Sequence, residues 1–271
     1  MTVRNLRMTA SHIAVALFLL LLSAPTRAQD NTPDTGPGAF VSRPAIGLQT
    51  IFFGADSPPA QSLSPADDRN VIGGGLSSAN NALRITVELI PNAEGMFRIP
   101  ISFEAYQFIG KTTFSLAPGK DKRKSRWLFR HTAEMFSVGT GVTAAFFSKP
   151  NLYVTVEGRF NYLPPPTFYN RQYYLDNDET VLTLDGEPAE GTVKLGTKSL
   201  SRIGGFGRIG TQVDFFDPLL LDFSVGYGVL NLFGKETDPQ SSRHILTIDQ
   251  RDAPEETIGY FGLALSVIWE L

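Results

Sequence analysis

Eight stretches of this chain alternate apolar and polar side chains, and the connections between them are in turn long and short. The stretches are residues 45–54, 81–90, 97–108, 136–147, 152–163, 202–216, 219–233 and 259–271. Residues 55–80, 109–135, 164–201 and 234–258 form long connections, whereas 91–96, 148–151 and Asp217-Pro218 are short. Successive side chains of a strand point to opposite faces, so each stretch has one apolar and one polar face. In LYVTVEGRFNY, for example, Leu152, Val154, Val156 and Phe160 oppose Tyr153, Thr155, Glu157 and Arg159. Alternation alone fits a soluble half-buried sheet as well as a barrel with its apolar face in lipid. An even strand number with tight turns at one end and long loops at the other favours the barrel, because a β-sandwich has no reason to alternate its connections so regularly.

The ends of the chain bear on the same choice. Arg4 and Arg7 precede the apolar run IAVALFLLLL (13–22), and Thr26-Arg27-Ala28 supplies a small-x-small cleavage site, so residues 1–28 read as a secretory signal peptide. The run is too short to cross a bilayer as a helix, which takes roughly 20 apolar residues. Residues 29–44 (QDNTPDTGPGAFVSRP) read as a flexible lead-in, leaving 45–271 as the barrel domain. Losing Arg4, Arg7 and Arg27 reduces 24 Lys+Arg to 21, against 27 Asp+Glu, so the exported chain is acidic and a nucleic-acid partner is not expected. The absence of cysteine excludes disulfides, thiol catalysis and a lipid-modified N-terminal cysteine.

If the apolar faces point outward, charged side chains occupy the interior. Arg84, Glu104, Glu157, Arg159 and Arg208 fall near mid-height when the strands are aligned by their turns, with Glu88, Asp214 and Asp222 lower. An eight-stranded barrel has just enough room for side chains to fill it, and ions there must be paired. These eight residues are therefore expected to form an interior charge network, with Arg98 or Arg202 joining. Such a network would plug the barrel; a narrow path for ions or small solutes is the alternative. Phe97, Phe146, Phe215 and Trp269 are expected in an aromatic girdle at the short-turn end, and Phe160, Tyr162 and Tyr227 at the other. Pro100 requires a bulge or a strand end, residues 45–54 have no clean parity, and Glu134 must lie above the lipid zone or follow a bulge.

The last stretch, YFGLALSVIWEL, places Phe261, Leu263, Leu265, Val267, Trp269 and Leu271 on one face and runs to the final residue. It resembles the C-terminal recognition strand of bacterial outer-membrane β-barrels, and with the eight stretches the chain is similar to the small OmpA/OmpX-type barrel superfamily. The resemblance covers about residues 45–271. It implies an all-β, eight-stranded antiparallel up-and-down transmembrane barrel, with short periplasmic turns and long extracellular loops, located in the bacterial outer membrane. It also implies insertion by the barrel assembly machinery, with Val267, Trp269 and Leu271 as the assembly signal, and a monomer in contact with outer-membrane lipid. Lys120, Lys122, Arg123, Lys124 and Arg126 form a cationic cluster in the second long connection that could meet lipopolysaccharide phosphates.

Catalysis and metal binding have weak support. Only His131 and His244 follow the signal peptide; His131 with Ser137 is the best available base and nucleophile pair, and it lacks a recognisable triad spacing. LDNDET (175–180) looks like calcium ligands but lacks the glycine and closing glutamate of an EF-hand loop. GGFGRIG (204–210) continues as a strand and opens no helix, so it is no dinucleotide loop. No enzyme activity and no cofactor are expected. The readings are a structural or surface-interacting barrel, a small channel, or a soluble exported barrel that holds an apolar ligand.

Overall fold

A computed structural model of the chain describes residues 41–54, 57–59, 75–91, 96–110, 113–118, 123–146, 151–194, 198–238, 244–246 and 254–270. The signal peptide, most of the lead-in, Lys120, Lys122 and Leu271 lie outside them. Eight strands close on themselves: β1 (Val41–Phe52), β2 (Ala79–Ile90), β3 (Phe97–Ile109), β5 (Lys124–Ala145), β6 (Asn151–Leu163), β9 (Leu200–Phe216), β10 (Leu219–Phe233) and β11 (Gly259–Trp269). Every neighbouring pair is antiparallel, and β11 pairs with β1 to shut the circuit. Closure leaves no open edge, the condition for β-structure in lipid.

The register fixes the slant of the strands. Stepping sideways from Gln107 leads to Asn81, Thr50, Leu263, Val225, Ile209, Val154 and Ala144, and arrives back on β3 at Phe97, ten residues from the start. A shear of that size in eight strands means a tilt of about 40° and an interior just wide enough for side chains.

The faces run as the alternation requires. Val156 is 65% exposed and Leu48 63% on the outside, whereas Glu157 is 2% and Arg84 1% exposed inside. Apolar faces outward and charges inward exclude the soluble barrel with an apolar cavity. Phe97, Phe146 and Phe215 are exposed beside the short turns, with Trp269 partly exposed at the end of β11; Phe160, Tyr162 and Tyr227 are exposed toward the other end.

Four local features differ from the sequence expectations or sharpen them. β1 begins at Val41, so residues 41–44 belong to the barrel and not to the lead-in, because Val41–Pro44 pair with Val87–Ile90. Pro100 sits inside β3 without a bulge: Arg98↔Thr143 and Ile101↔Thr140 keep one register, and the missing N–H is absorbed by a two-residue lapse in pairing with β5. Glu134 is exposed and pairs in register with Gln107, at the outer margin of the lipid zone and with no bulge below it. β1 lacks parity in the sequence because apolar side chains occupy both faces, Leu48 and Phe52 outside and Ile51 inside.

Two of the long connections contain strands. β5 continues beyond the barrel and pairs there with β4 (Thr113–Pro118) on one side and β7 (Thr167–Tyr174) on the other; β7 pairs with β8 (Glu190–Lys194). A small sheet, β4-β5-β7-β8, therefore stands above one sector of the barrel, and its strands displace part of the loops expected at 109–135 and 164–201. Among the described residues no helix is long and apolar enough to cross a membrane.

Candidate functional site

The barrel interior is built in two layers. Glu157 of β6 holds the middle layer together. It accepts from Arg84 Nη2 at 2.8 Å and from Arg159 Nη2 at 2.9 Å, and Arg208 Nη2 lies 3.5 Å away. Glu104, directly opposite Arg84 in the β2–β3 register, accepts from Arg159 Nη1 at 2.8 Å and lies 3.5 Å from Arg84 Nε. Tyr106 also donates to Glu104, and Tyr260 Oη accepts from Arg159 at 2.9 Å. Below, Arg98 Nη1 donates to Gln212 Oε1 at 2.7 Å and lies 3.4 Å from Glu88, while Tyr153 Oη donates to Asp222 Oδ1 at 2.5 Å within electrostatic reach of Arg208. Ions removed from water need this many partners, since an uncompensated charge in such a place costs several kcal/mol.

Glycines make room for this layer at two close approaches. A Cβ on Gly210 would stand 2.4 Å from Tyr153 Oη, and one on Gly228 would stand 2.4 Å from Tyr260 Cζ. Each tyrosine lies over the bare backbone of a nearby strand, and that placement aims its hydroxyl at the charges.

Toward the outer end the interior turns apolar. Ile51, Phe53, Ala82, Tyr106, Phe108, Ala133, Met135, Leu163, Phe206, Leu230, Ile258 and Tyr260 form one buried cluster, completed from the loops by Leu76, Ile245 and Leu246. Phe53 meets Phe108 in a tilted pair at 5.8 Å, Phe108 stacks on Tyr106 at 5.7 Å, and Phe206 stacks on Tyr260 at 5.7 Å, with the Arg159 guanidinium 4.1 Å from the centre of the Phe206 ring. A polar clamp at the outer rim fastens the last loop. Arg202 donates to both oxygens of Glu255, Asn231 Nδ2 donates to Glu255 Oε1 at 2.7 Å, and the Glu236 N–H donates to Glu255 Oε2 at 3.0 Å. Burial pushes the Glu255 carboxyl up, but Arg202, the Glu236 amide and Asn231 together outweigh it and hold its pKa below the usual value.

Seven of the eight residues proposed for the interior from sequence are buried within it: Arg84, Glu88, Glu104, Glu157, Arg159, Arg208 and Asp222. Asp214 is not among them. It is exposed, and it lines a depression at the short-turn mouth with Arg43, Gln212 and Glu270, because β9 runs past the network before it turns. Arg98 joins the buried set, whereas Arg202 is drawn to Glu255 at the opposite end. With Arg98 in and Asp214 out, four arginines face four carboxylates. The tyrosines 106, 153 and 260 and Gln49, which accepts from Arg84 at 3.3 Å, also belong to the layer; no feature of the sequence distinguishes them from ordinary strand residues except their inward parity.

The remaining candidates separate. Arg123 grips Asp176 with two hydrogen bonds at the tip of the β7–β8 hairpin, its guanidinium holding the Asp176 carboxyl below the usual range. Lys124 and Arg126 continue on β5. Val267 and Trp269 pair with Leu221 and Leu219 on the outer face of the final strand. His131 and Ser137 do not meet: both face inward on β5, six residues and therefore about 20 Å apart, and the Ser137 hydroxyl bonds to Asn161. Residues 175–180 form a turn, and among the described residues no group of three or more His, Asp or Glu is arranged to hold a metal.

No protein-family model and no curated protein matches the chain. Among solved structures it is similar to Ail, the attachment invasion locus protein of Yersinia pestis, in complex with the heparin analogue sucrose octasulfate, at 10% identity and a TM-score of 0.39 over 85% of this chain and 97% of that one. It is also similar to Neisserial surface protein A, at 13% identity and a TM-score of 0.37 over 86% and 96%. A barrel closed by eight antiparallel strands, apolar outside, charged inside, girdled by aromatics and looped long at one end only has the architecture of a small transmembrane β-barrel, the kind that bacterial outer membranes hold.

Proposed function

We propose that the protein is a non-conducting, non-catalytic outer-membrane barrel that serves as a structural anchor and displays its β4-β5-β7-β8 sheet and loops at the cell surface. The observation that carries this reading is the double closure of the interior. The four-to-four charge layer fills mid-height, and the apolar cluster with Leu76, Ile245 and Leu246 covers the outer mouth. An ion crossing the barrel would have to break the Glu157 contacts and then pass a filled, largely apolar layer. The strand end at Val267 and Trp269 would be recognised by the barrel assembly machinery, and the protein would work as a monomer.

Planar-bilayer recording of the refolded full-length chain tests this. The expected record is flat, with no steady unitary steps. Steps that persist in the wild type and change in Glu157→Gln or Arg159→Gln would establish the small-channel reading instead.

A further inference from the structure

The part of β5 that rises above the lipid zone keeps the parity of the part below. Val138 and Val142 face lipid, so the even-numbered residues above them face sideways over the membrane surface: Glu134 at the margin, then Arg130, Leu128, Arg126 and Lys124. β7 and β8 extend the same face. Arg130 stands beside Tyr169 and Thr192 in one row, Leu128 beside Arg171 and Glu190 in the next, Arg126 beside Tyr173 above, and Lys194 beside Thr167 below. Arg130 lies over the Tyr169 ring at 5.9 Å and Arg171 over Tyr173 at 5.6 Å. Arg171 is partly committed, 3.6 Å from Glu190 and donating to Thr180. Among the described residues, Lys124, Arg126, Arg130, Arg171 and Lys194 thus face outward against Glu190, with Glu134 at the foot. The other acidic residues of the third long connection sit elsewhere: Asp176, Asp178, Glu179, Asp185 and Glu187 are at or beyond its turn.

Height decides what such a face can meet. A strand tilted by about 40° climbs roughly 2.5 Å per residue, so Arg130 stands about 10 Å and Arg126 about 20 Å above Glu134. That interval is occupied by the headgroups of the outer leaflet. We propose that the outward face of β5, β7 and β8 is a docking surface for the phosphorylated sugar headgroups of lipid A-type glycolipids, with Arg126, Arg130 and Lys194 pairing phosphates and Tyr169 and Tyr173 lying against the sugar rings. Guanidinium groups suit phosphate because they offer planar paired donors. Continuity with the lipid-facing surface of the same strand, together with the excess of cations, favours a membrane glycolipid over a soluble anionic glycan. The proposal rests on the membrane-barrel reading above and adds a ligand to it.

The test uses the refolded full-length chain in detergent, with diphosphoryl lipid A as the probe and native mass spectrometry as the readout. The wild type is expected to carry lipid A adducts, with weaker occupancy by monophosphoryl lipid A. Arg126→Gln, Arg130→Gln and Lys194→Gln together should weaken binding by roughly a hundredfold, taking about fivefold per cation. Arg123→Gln, which removes a cation already held by Asp176, should leave binding unchanged. Equal adducts on the triple variant and the wild type would overturn the proposal, as would binding of a sulfated oligosaccharide with none of lipid A. Heat-modifiable gel migration of the same samples separates the two readings. A wild type that migrates as a folded barrel yet binds no lipid A refutes the docking surface alone, and one that shows no heat-modifiable form refutes the barrel.

Discussion

Replacing Glu157 with Gln keeps the shape of the side chain and removes the charge on which three arginines converge. Arg84 and Arg159 lie 2.8 and 2.9 Å from its oxygens and Arg208 3.5 Å, so the variant leaves three guanidinium groups against Glu104 and Asp222. Breaking a buried pair by removing one partner typically costs 3–5 kcal/mol, because the survivors stay desolvated. Glu104 compensates Arg84 and Arg159 in part, so a loss of about 3 kcal/mol is expected. The assay is urea unfolding in lipid vesicles, followed by tryptophan fluorescence and by the heat-modifiable gel shift. A second variant makes the reasoning sharper. Glu157→Gln with Arg208→Gln restores the balance of charge, and the double variant should lose less than the sum of the singles by about 1–3 kcal/mol. A Glu157→Gln cost below about 1 kcal/mol, or strict additivity in the pair, would mean that water reaches these groups and that the interior is no sealed charge layer.

Other perturbations probe the outside, the packing and the rim. Val156→Arg puts a cation on the lipid face and should cost about 2–4 kcal/mol near mid-membrane, seen as a lower folded fraction in vesicles; a harmless substitution would refute the assigned facing. Gly228→Ala drives a methyl into the Tyr260 ring and should displace the hydroxyl that accepts from Arg159, lowering the unfolding midpoint, whereas Gly191→Ala, in β8 with open space around its Cα, should leave the midpoint unchanged. The Glu255 clamp makes the last loop acid-sensitive. Its carboxyl has a lowered folded pKa, so its contribution is complete above the unfolded value of about 4.3 and is lost as pH falls through the folded value. Hydrogen exchange at Leu230 and Ile258, whose amides are bonded in or beside the clamp, should accelerate in that acid window in the wild type and already at neutral pH in Glu255→Gln.

How much of this was legible in the sequence depended on whether a residue's surroundings repeat with period two. The strands, their faces and the inward charges at 84, 88, 104, 157, 159, 208 and 222 follow from parity and turn spacing, because in a closed barrel those two quantities fix both side and height. Asp214 shares the parity of Arg208 but lies too close to the Asp217-Pro218 turn to reach the network; height failed where parity held. The apolar outer layer was invisible for a different reason. Ile51, Phe108, Met135 and Leu230 are inward residues without charge, and an apolar inward residue looks in sequence like a lapse of alternation, which is why residues 45–54 have no clean parity. The extra strands β4 and β7 were hidden because their pairing partner is the continuation of β5, a match that loop composition does not report, and β8 forms only against β7.

The slant of the barrel connects these observations. Thr50, Asn81, Gln107 and Glu134 are neighbours in one sideways row on the outer face, and all four are polar, with Thr50 Oγ1 donating to Asn81 Oδ1 at 2.8 Å. Followed in the other direction, the same row descends through Leu263, Val225, Ile209 and Val154 to Phe97 in the girdle at the short-turn end, so it changes from polar to apolar as it enters lipid. The lipid boundary therefore crosses different strands at different residue positions, and it crosses β5 just below Glu134. Above that residue β5 is outside the hydrocarbon core, while its even-numbered side chains still point across the membrane surface. The outward cations of β5, β7 and β8 thus follow from a shear of ten in eight strands as much as from the choice of arginine and lysine. A strand long enough to leave the membrane carries its lipid-facing parity up to the headgroups, and there the side chains that suit it are cations rather than valines.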